Sequence, residues 1–319
     1  MQRRRLGNSE LEVAPLAFGG NVFGWTANEE TSFRLLDAVV AAGINLIDTA
    51  DVYSRWAPGH QGGESEAILG KWLRRSGQRD QVVIATKVGM EMGPGDKGLS
   101  RSYILRAAER SLERLQTDVI DLYQSHVDDE KTPLEETLGA FGELMQQGKV
   151  RAIGASNYAA ERLTQALRIS REQNLPAYCC LQPLYNLCDR AAFEDSLQAV
   201  CQKEGLAVIP YFSLAAGFLT GKYRSEADLA QSPRGARVKS YLNDRGFRIL
   251  AALEQVAARY KCRMPEVALA WLMARPGVTA PIASATSLEQ LESLVAATRL
   301  DLDSDAMAAL DHGAPSETC

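Results

Sequence analysis

The chain has 319 residues, 46% hydrophobic and 24% charged, with 35 Lys and Arg against 40 Asp and Glu, giving a formal net charge of −5. These values exclude a disordered, collagen-like or coiled-coil chain. They also argue against a nucleic-acid partner, because the one basic cluster, Arg3-Arg4-Arg5, is too short to hold a polyanion.

From the N-terminus, residues 1–15 alternate around Gly7-Asn8-Ser9, which predicts a hairpin closing the bottom of the molecule. Short apolar runs follow at 16–19, 44–49, 82–88, 119–125, 150–155, 179–184, 206–214 and 278–283. Being apolar on both faces, they suit buried parallel strands. Amphipathic segments lie between them. In 28–43, Phe33, Leu36 and Val40 share a stripe and Gly43 is a stop signal. In 132–148, Thr132 is placed to cap the helix, Pro133 to open it and Gly148 to end it. In 192–205, Leu197, Val200 and Cys201 line a face and Gly205 ends it; Pro265 and Pro276 bracket a later helix. Residues 221–244 are polar and turn-rich and predict a long loop after the seventh strand, and a further helix is expected near 304–310.

Eight strand–helix units predict an α/β fold, a (β/α)8 TIM barrel, as one domain over residues 1–319. A doubly wound open sheet is the alternative, but no strand is followed by a G-x-G-x-x-G turn. No run approaches the ~18 apolar residues of a membrane span, and MQRRRLGNSELEV lacks the apolar core of a signal peptide. No membrane partner is expected. Cys179, Cys180, Cys188, Cys201, Cys262 and Cys319 show no CxxC pair and read as reduced thiols of a cytoplasmic protein.

In such a barrel, chemistry belongs where strands end. The second strand ends on Asp48, with Tyr53 in its loop; the third carries Lys87; the fourth ends at His126. A phenol is a poor acid at neutral pH, and a nearby ammonium favours its phenolate. At ~4 Å and an effective dielectric near 20, that interaction is about 4 kcal/mol. Lys87 is therefore expected to bring Tyr53 towards the working pH, Asp48 to neutralise Lys87, and His126 to orient a substrate oxygen. This is machinery for protonating a carbonyl oxygen as hydride reaches its carbon. Taken alone, Tyr53 reads as a loop packing residue, His126 as a core histidine, and Asp48 equally as a cap or a functional residue; together the four are hard to account for as packing.

At these residues the sequence resembles the aldo-keto reductase superfamily. INLIDTADVY, IATKVG and DLYQSH match the segments that hold its catalytic tetrad. The resemblance implies Tyr53 as general acid, Asp48 and Lys87 as its tuning pair, and His126 as substrate orienter. GASNY and LQPLYN imply that Ser156, Asn157 and Gln182 bind a nicotinamide carboxamide, with Asp48 beside it. IPYFSLAAGFLTGKY implies that Tyr211 stacks on the nicotinamide and that Phe212, Leu214, Gly217 and Lys222 follow the pyrophosphate. PIASATSLEQLESL implies Ser284, Thr286 and Gln290 at the adenosine 2′-phosphate, joined by Arg237. The cofactor implied is NADP(H), favoured over NADH. Two departures stand against many relatives: no Lys or Arg lies between Pro281 and Thr298, and Phe212-Ser213 replaces a usual Ser-Pro. Phe23, Trp25, Trp56 and Met90 are expected to wall a pocket for a small carbonyl substrate.

Two other functions would use parts of the same residue set. One is a nicotinamide-binding, redox-sensing regulatory subunit with slow turnover, as some relatives are channel subunits. The other is a metal-dependent hydrolase using His126, Asp128, Asp129 or His60. Their spacing does not match the usual ligand sets, so no metal is expected.

Overall fold

A computed structural model of the chain describes residues 1–314. At its centre lie eight parallel strands: β1 Ala17–Gly19, β2 Leu46–Asp48, β3 Val83–Val88, β4 Ile120–Ser125, β5 Val150–Ser156, β6 Cys180–Gln182, β7 Ala207–Val208 and β8 Ile282–Ala283. They pair in chain order, and β8 returns to β1 with Ile282 opposite Ala17. Between β7 and β8 the ring is closed by Val208 bridging Val278 and by the Ile282 N–H donating to the Pro210 carbonyl at 2.9 Å. The result is a (β/α)8 barrel.

Every strand lies in or overlaps a run expected from the sequence. The run 206–214 yields only Ala207–Val208, because Pro210 has no N–H to donate and Phe212 adopts φ 52°. Helices Glu29–Ala41, Glu64–Ser76, Arg101–Leu115, Leu134–Gln146, Ala160–Gln173 and Gln198–Glu204 follow the first six strands. Asp244–Tyr260 and Met264–Ala274 lie between β7 and β8, and Leu288–Ala297 and Ser304–Gly313 follow β8.

Four local expectations change. The buried stripe of Glu29–Ala41 runs through Leu35, Leu36 and Val39, with Phe33 and Val40 only at its margin. Thr132 caps no helix: its hydroxyl donates to Asp129 Oδ2 at 2.7 Å, and the helix starts at Leu134 behind Pro133. The helix ending at Gly205 opens with a wide π turn over Phe193–Leu197. The long segment after β7 contains short helical turns at Glu226–Gln231, Gly235–Val238 and Lys239–Tyr241.

The N-terminal hairpin, Arg4–Arg5 against Glu12–Val13, plugs one end of the barrel. Its Leu6, Leu11 and Val13 pack against Ala17, Leu46, Val83 and Leu122 from the strand starts. Arg4 Nη1 donates to the carbonyls of Val278 and Thr279 at 3.1 and 3.2 Å. That end is filled by apolar side chains and backbone contacts, which leaves the strand C-terminal ends for polar groups. Cys179, Cys180, Cys188, Cys201 and Cys262 are unbridged; Cys319 lies outside the described residues. No described helix is long and apolar enough to cross a membrane.

Candidate active site

Strand alternation sends successive side chains to opposite faces. On β3, Thr86 faces outward and donates to Glu66 Oε1 at 2.5 Å, so Lys87 faces the barrel interior, where it is fully buried. Its neighbour in register on β4 is Gln124, and opposite Gln124 on β5 is Gly154. A Cβ at Gly154 would lie 2.6 Å from Cys180 Sγ and 3.1 Å from Gln124 Cγ, so the glycine makes room for this polar layer.

Lys87 Nζ uses all three of its protons. It donates to Asp48 Oδ2 at 2.7 Å, to the Thr49 carbonyl at 2.7 Å and to the Tyr53 hydroxyl at 3.0 Å. Asp48 is buried too, and its Oδ1 accepts from Gln182 Nε2 at 2.9 Å. A buried ion pair tolerates removal from water only when its remaining hydrogen-bonding capacity is met. Thr49 and Gln182 meet it here.

Burial works against the Lys87 ammonium, but Asp48 and Tyr53 outweigh it and hold its pKa above the ordinary value. Burial pushes the Tyr53 phenol up, Lys87 pulls it down only in part, and Asp48 adds to the upward push. This corrects the expectation that Lys87 lowers Tyr53 on balance: the desolvation cost of a buried phenolate exceeds the ammonium's attraction. His126 is pushed well below 6.5 by burial and by Lys87, so its imidazole is neutral at pH 7. Its ring lies edge-on to Tyr53 at 5.9 Å, and its buried Nδ1 has no partner.

The other expected residues fall at neighbouring strand ends. The Ser156 hydroxyl donates to the Gln182 carbonyl at 2.9 Å. Asn157, at φ 56°, donates from Nδ2 to the His126 carbonyl at 2.9 Å and accepts from the Tyr211 hydroxyl at 2.8 Å. Phe212 lies against Tyr211, its carbonyl held by Asn186 Nδ2 at 3.0 Å. Leu214 precedes a 3-10 turn over Ala215–Thr220 that is kinked at Ala216 and Gly217, and Lys222 Nζ lies over the Tyr223 ring at 5.0 Å. Ser284 donates to Asn21 Oδ1 at 2.7 Å, while Gln290 Oε1 accepts from the Thr286 N–H at 2.8 Å beside the Ser287-capped start of Leu288–Ala297. Arg237 is exposed over the Phe212 ring at 5.3 Å.

Trp56 is 44% exposed and lies edge-on to both Trp25 and Tyr53, each at 5.6 Å. Met90 is half-buried in the loop after β3. Phe23 departs from the expectation of a pocket wall. It is fully buried against Phe18 at 5.9 Å, and its carbonyl accepts from the Ser54 hydroxyl at 2.8 Å. It anchors the loop from behind.

Sequence reasoning missed Gln124, the Thr49 carbonyl, Asn21, Asn186 and Arg234. Backbone acceptors carry no sequence signal. Gln124 lies on β4 two residues before His126, and alternation from Lys87 and its partners would have found it. The His60, Asp128 and Asp129 cluster does not assemble: among the described residues no group of three or more His, Cys, Asp or Glu is arranged to hold a metal ion.

The arrangement is a ring of polar side chains at the C-terminal mouth of the barrel, with a phenol at its centre backed by a buried ion pair. A model of the family described as "Aldo/keto reductase family" matches residues 15–314. The chain is similar to Protein tas of Escherichia coli K12, 33% identical with 98% of this chain and 97% of that protein covered. It is similar to the L-glyceraldehyde 3-phosphate reductase of Escherichia coli K12, 33% identical with 93% and 87% covered. It is also similar to the probable voltage-gated potassium channel subunit beta of Oryza sativa subsp. japonica, 32% identical with 91% and 89% covered. The family match over nearly the whole chain, and relatives aligned along most of their own length, make this chain a member of the aldo/keto reductase family of oxidoreductases.

Proposed function

We propose that the chain is an NADP(H)-dependent reductase of small aldehydes and ketones, with Tyr53 as the proton donor. The observation that carries this reading is the buried chain from Asp48 through Lys87 to Tyr53. Because burial keeps the phenol protonated, Tyr53 holds a proton ready for a carbonyl oxygen. As that oxygen gains negative charge, Tyr53 turns towards phenolate and the Lys87 contact strengthens. A stabilisation that grows along the reaction is the kind that raises rate. Neutral His126 offers a hydrogen bond to the same oxygen without competing for its charge.

The nicotinamide, when bound, supplies hydride to the carbonyl carbon. Primary amides need both donors and acceptors, which Ser156, Asn157 and Gln182 offer together. The orphaned buried Nε2 of Gln124, beside Gln182, shows that this layer has unused hydrogen-bonding capacity, as a polar ligand requires. Tyr211 offers an aromatic face to the nicotinamide. Phe212, Leu214, Gly217 and Lys222 would follow the pyrophosphate, with Arg237, Ser284, Thr286 and Gln290 at the 2′-phosphate. Trp25, Trp56 and Met90 would face the substrate.

A regulatory reading is supported by the likeness to a protein named as a channel subunit. One experiment separates the two. The purified protein is given NADPH and 4-nitrobenzaldehyde, alone and as Tyr53→Phe. A reductase oxidises NADPH, and the variant loses about 10²–10⁴-fold in kcat while binding NADPH as before. Undiminished turnover by the variant removes Tyr53 from the role. Tight cofactor binding with no turnover of any carbonyl favours the regulatory subunit.

A further inference from the structure

Arg234, in the long segment after β7, is a half-buried cation that no other described residue pairs with. Its Nη2 is shielded from solvent and has no hydrogen-bond partner. Its guanidinium lies over the Trp25 ring, 5.4 Å from the centroid. Among the described residues it forms no ion pair. The ionisable groups that act on it most strongly are Arg237, Tyr223 and Tyr53, one a like charge and two phenols, with no carboxylate among them. Tyr223 is itself fully buried, and its hydroxyl also lacks a partner.

An unpaired buried charge is among the costlier features a fold can carry. The usual remedies, a carboxylate or exposure to water, are both missing at Nη2. The remaining remedy is an anion brought by a ligand. The position says which ligand. Trp25 meets Trp56, and Trp56 meets Tyr53, so Arg234 closes an aromatic wall that begins at the reacting phenol. Arg234 also acts directly on the charge of Tyr53. Arg237, by contrast, lies over Phe212, on the side assigned above to the cofactor.

We propose that Arg234 binds a carboxylate or phosphate carried by the substrate, so that the preferred substrates are carbonyl compounds bearing an anionic group. This rests on the reading of Tyr53 as the proton donor, which fixes where the carbonyl lies. A guanidinium suits either oxyanion, because its planar fork of N–H groups matches their oxygens. The diphosphate of the dinucleotide offers the same chemistry, and the test separates the two sources.

The test compares 4-carboxybenzaldehyde with its methyl ester, which differ in charge but share the aldehyde. The ratio of their kcat/KM values is measured for the wild type, Arg234→Gln and Arg234→Lys, with NADPH dissociation constants from fluorescence titration. The expected result is a ratio lowered about tenfold or more in Arg234→Gln and partly kept in Arg234→Lys. A ratio that does not change overturns the proposal, and a weakened NADPH affinity with an unchanged ratio assigns Arg234 to the cofactor. Should the wild type turn over neither aldehyde, the carbonyl-reduction reading fails, yet the anion site is still read. Terephthalate is then titrated calorimetrically into wild type and Arg234→Gln with NADP⁺ present. Binding weakened about tenfold in the variant supports the anion site, and equal binding or none overturns it.

Discussion

Lys87 Nζ stands 3.0 Å from the Tyr53 hydroxyl while its charge is balanced by Asp48, 2.7 Å away on the neighbouring strand. Both members of the ion pair are buried, so each depends on the other. Replacing Lys87 by Met leaves Asp48 as a buried carboxylate without its cation. The expected cost is about 3–5 kcal/mol in unfolding free energy, read from urea melts. The double variant Asp48→Asn with Lys87→Met should recover much of that loss. A double variant no more stable than Lys87→Met would show that the pair is not the source. Lys87 also has a raised pKa in the folded state, so its contribution is fully present below 10.5 and is lost as pH rises past that value. The wild type should therefore lose stability on the alkaline side more steeply than the double variant.

His126 gives the opposite pH signature. Its folded pKa lies well below 6.5, first through burial and then through Lys87. The unfolded chain takes up a proton near 6.5 that the folded chain refuses. Stability tied to His126 is thus present above that pH and falls as pH drops below it. Urea midpoints between pH 8 and pH 5, measured for wild type and His126→Gln, should show a steeper acid-side decline in the wild type. Parallel declines would mean that His126 is solvated in the folded protein.

Much of this site was legible because its residues violate their ordinary environments. A lysine inside an apolar strand and an aspartate at a strand end are rare enough to stand out. The eight strands were legible for the converse reason, being apolar on both faces. What stayed hidden depends on three-dimensional balance. The sign of the Tyr53 shift is a contest between burial and Lys87, and no spacing reveals which is larger. Phe23 reads as a pocket aromatic because it follows a strand end, yet its ring turns inward to Phe18. Thr132 reads as a cap, but Asp129, three residues earlier, takes its hydroxyl. Arg234 sits in a polar segment, where a half-buried guanidinium with no partner among the described residues has no sequence mark.

Gly70 offers a test of the packing that holds β2 and β3 in place. It lies in Glu64–Ser76, where alanine would ordinarily favour the helix by up to about 1 kcal/mol. Here an added Cβ would lie 2.1 Å from the Arg114 carbonyl oxygen and 2.7 Å from the Leu115 carbonyl carbon. Those atoms are backbone and cannot swing aside. Arg114 is also tied to buried Glu66 at 2.7 Å. Gly70→Ala should therefore destabilise the protein by a net ~2 kcal/mol, against its helix propensity. A neutral or stabilising result in thermal or urea melts would mean that the two helices separate more easily than this contact implies.

On the proposed reading NADPH is bound more tightly than NADH, and Arg237 should supply part of that difference. The segment from Pro281 to Thr298 has no Lys or Arg. Ser284, Thr286, Gln290 and the start of Leu288–Ala297 offer hydroxyls, an amide and a helix terminus, all neutral. Arg237 is exposed over Phe212 and is the cation assigned above to the 2′-phosphate. Hydrogen bonds to a charged group contribute about 1.5–3 kcal/mol, or roughly tenfold or more in affinity. Arg237→Ala should accordingly weaken NADPH by about tenfold while leaving NADH affinity within about twofold, both read by quenching of intrinsic fluorescence. The NADPH loss should shrink at high salt, because an exposed ion pair is screened. A parallel loss for both cofactors would place Arg237 on the pyrophosphate they share, and equal wild-type affinities would mean that Arg237 and the neutral donors together do not select for the 2′-phosphate.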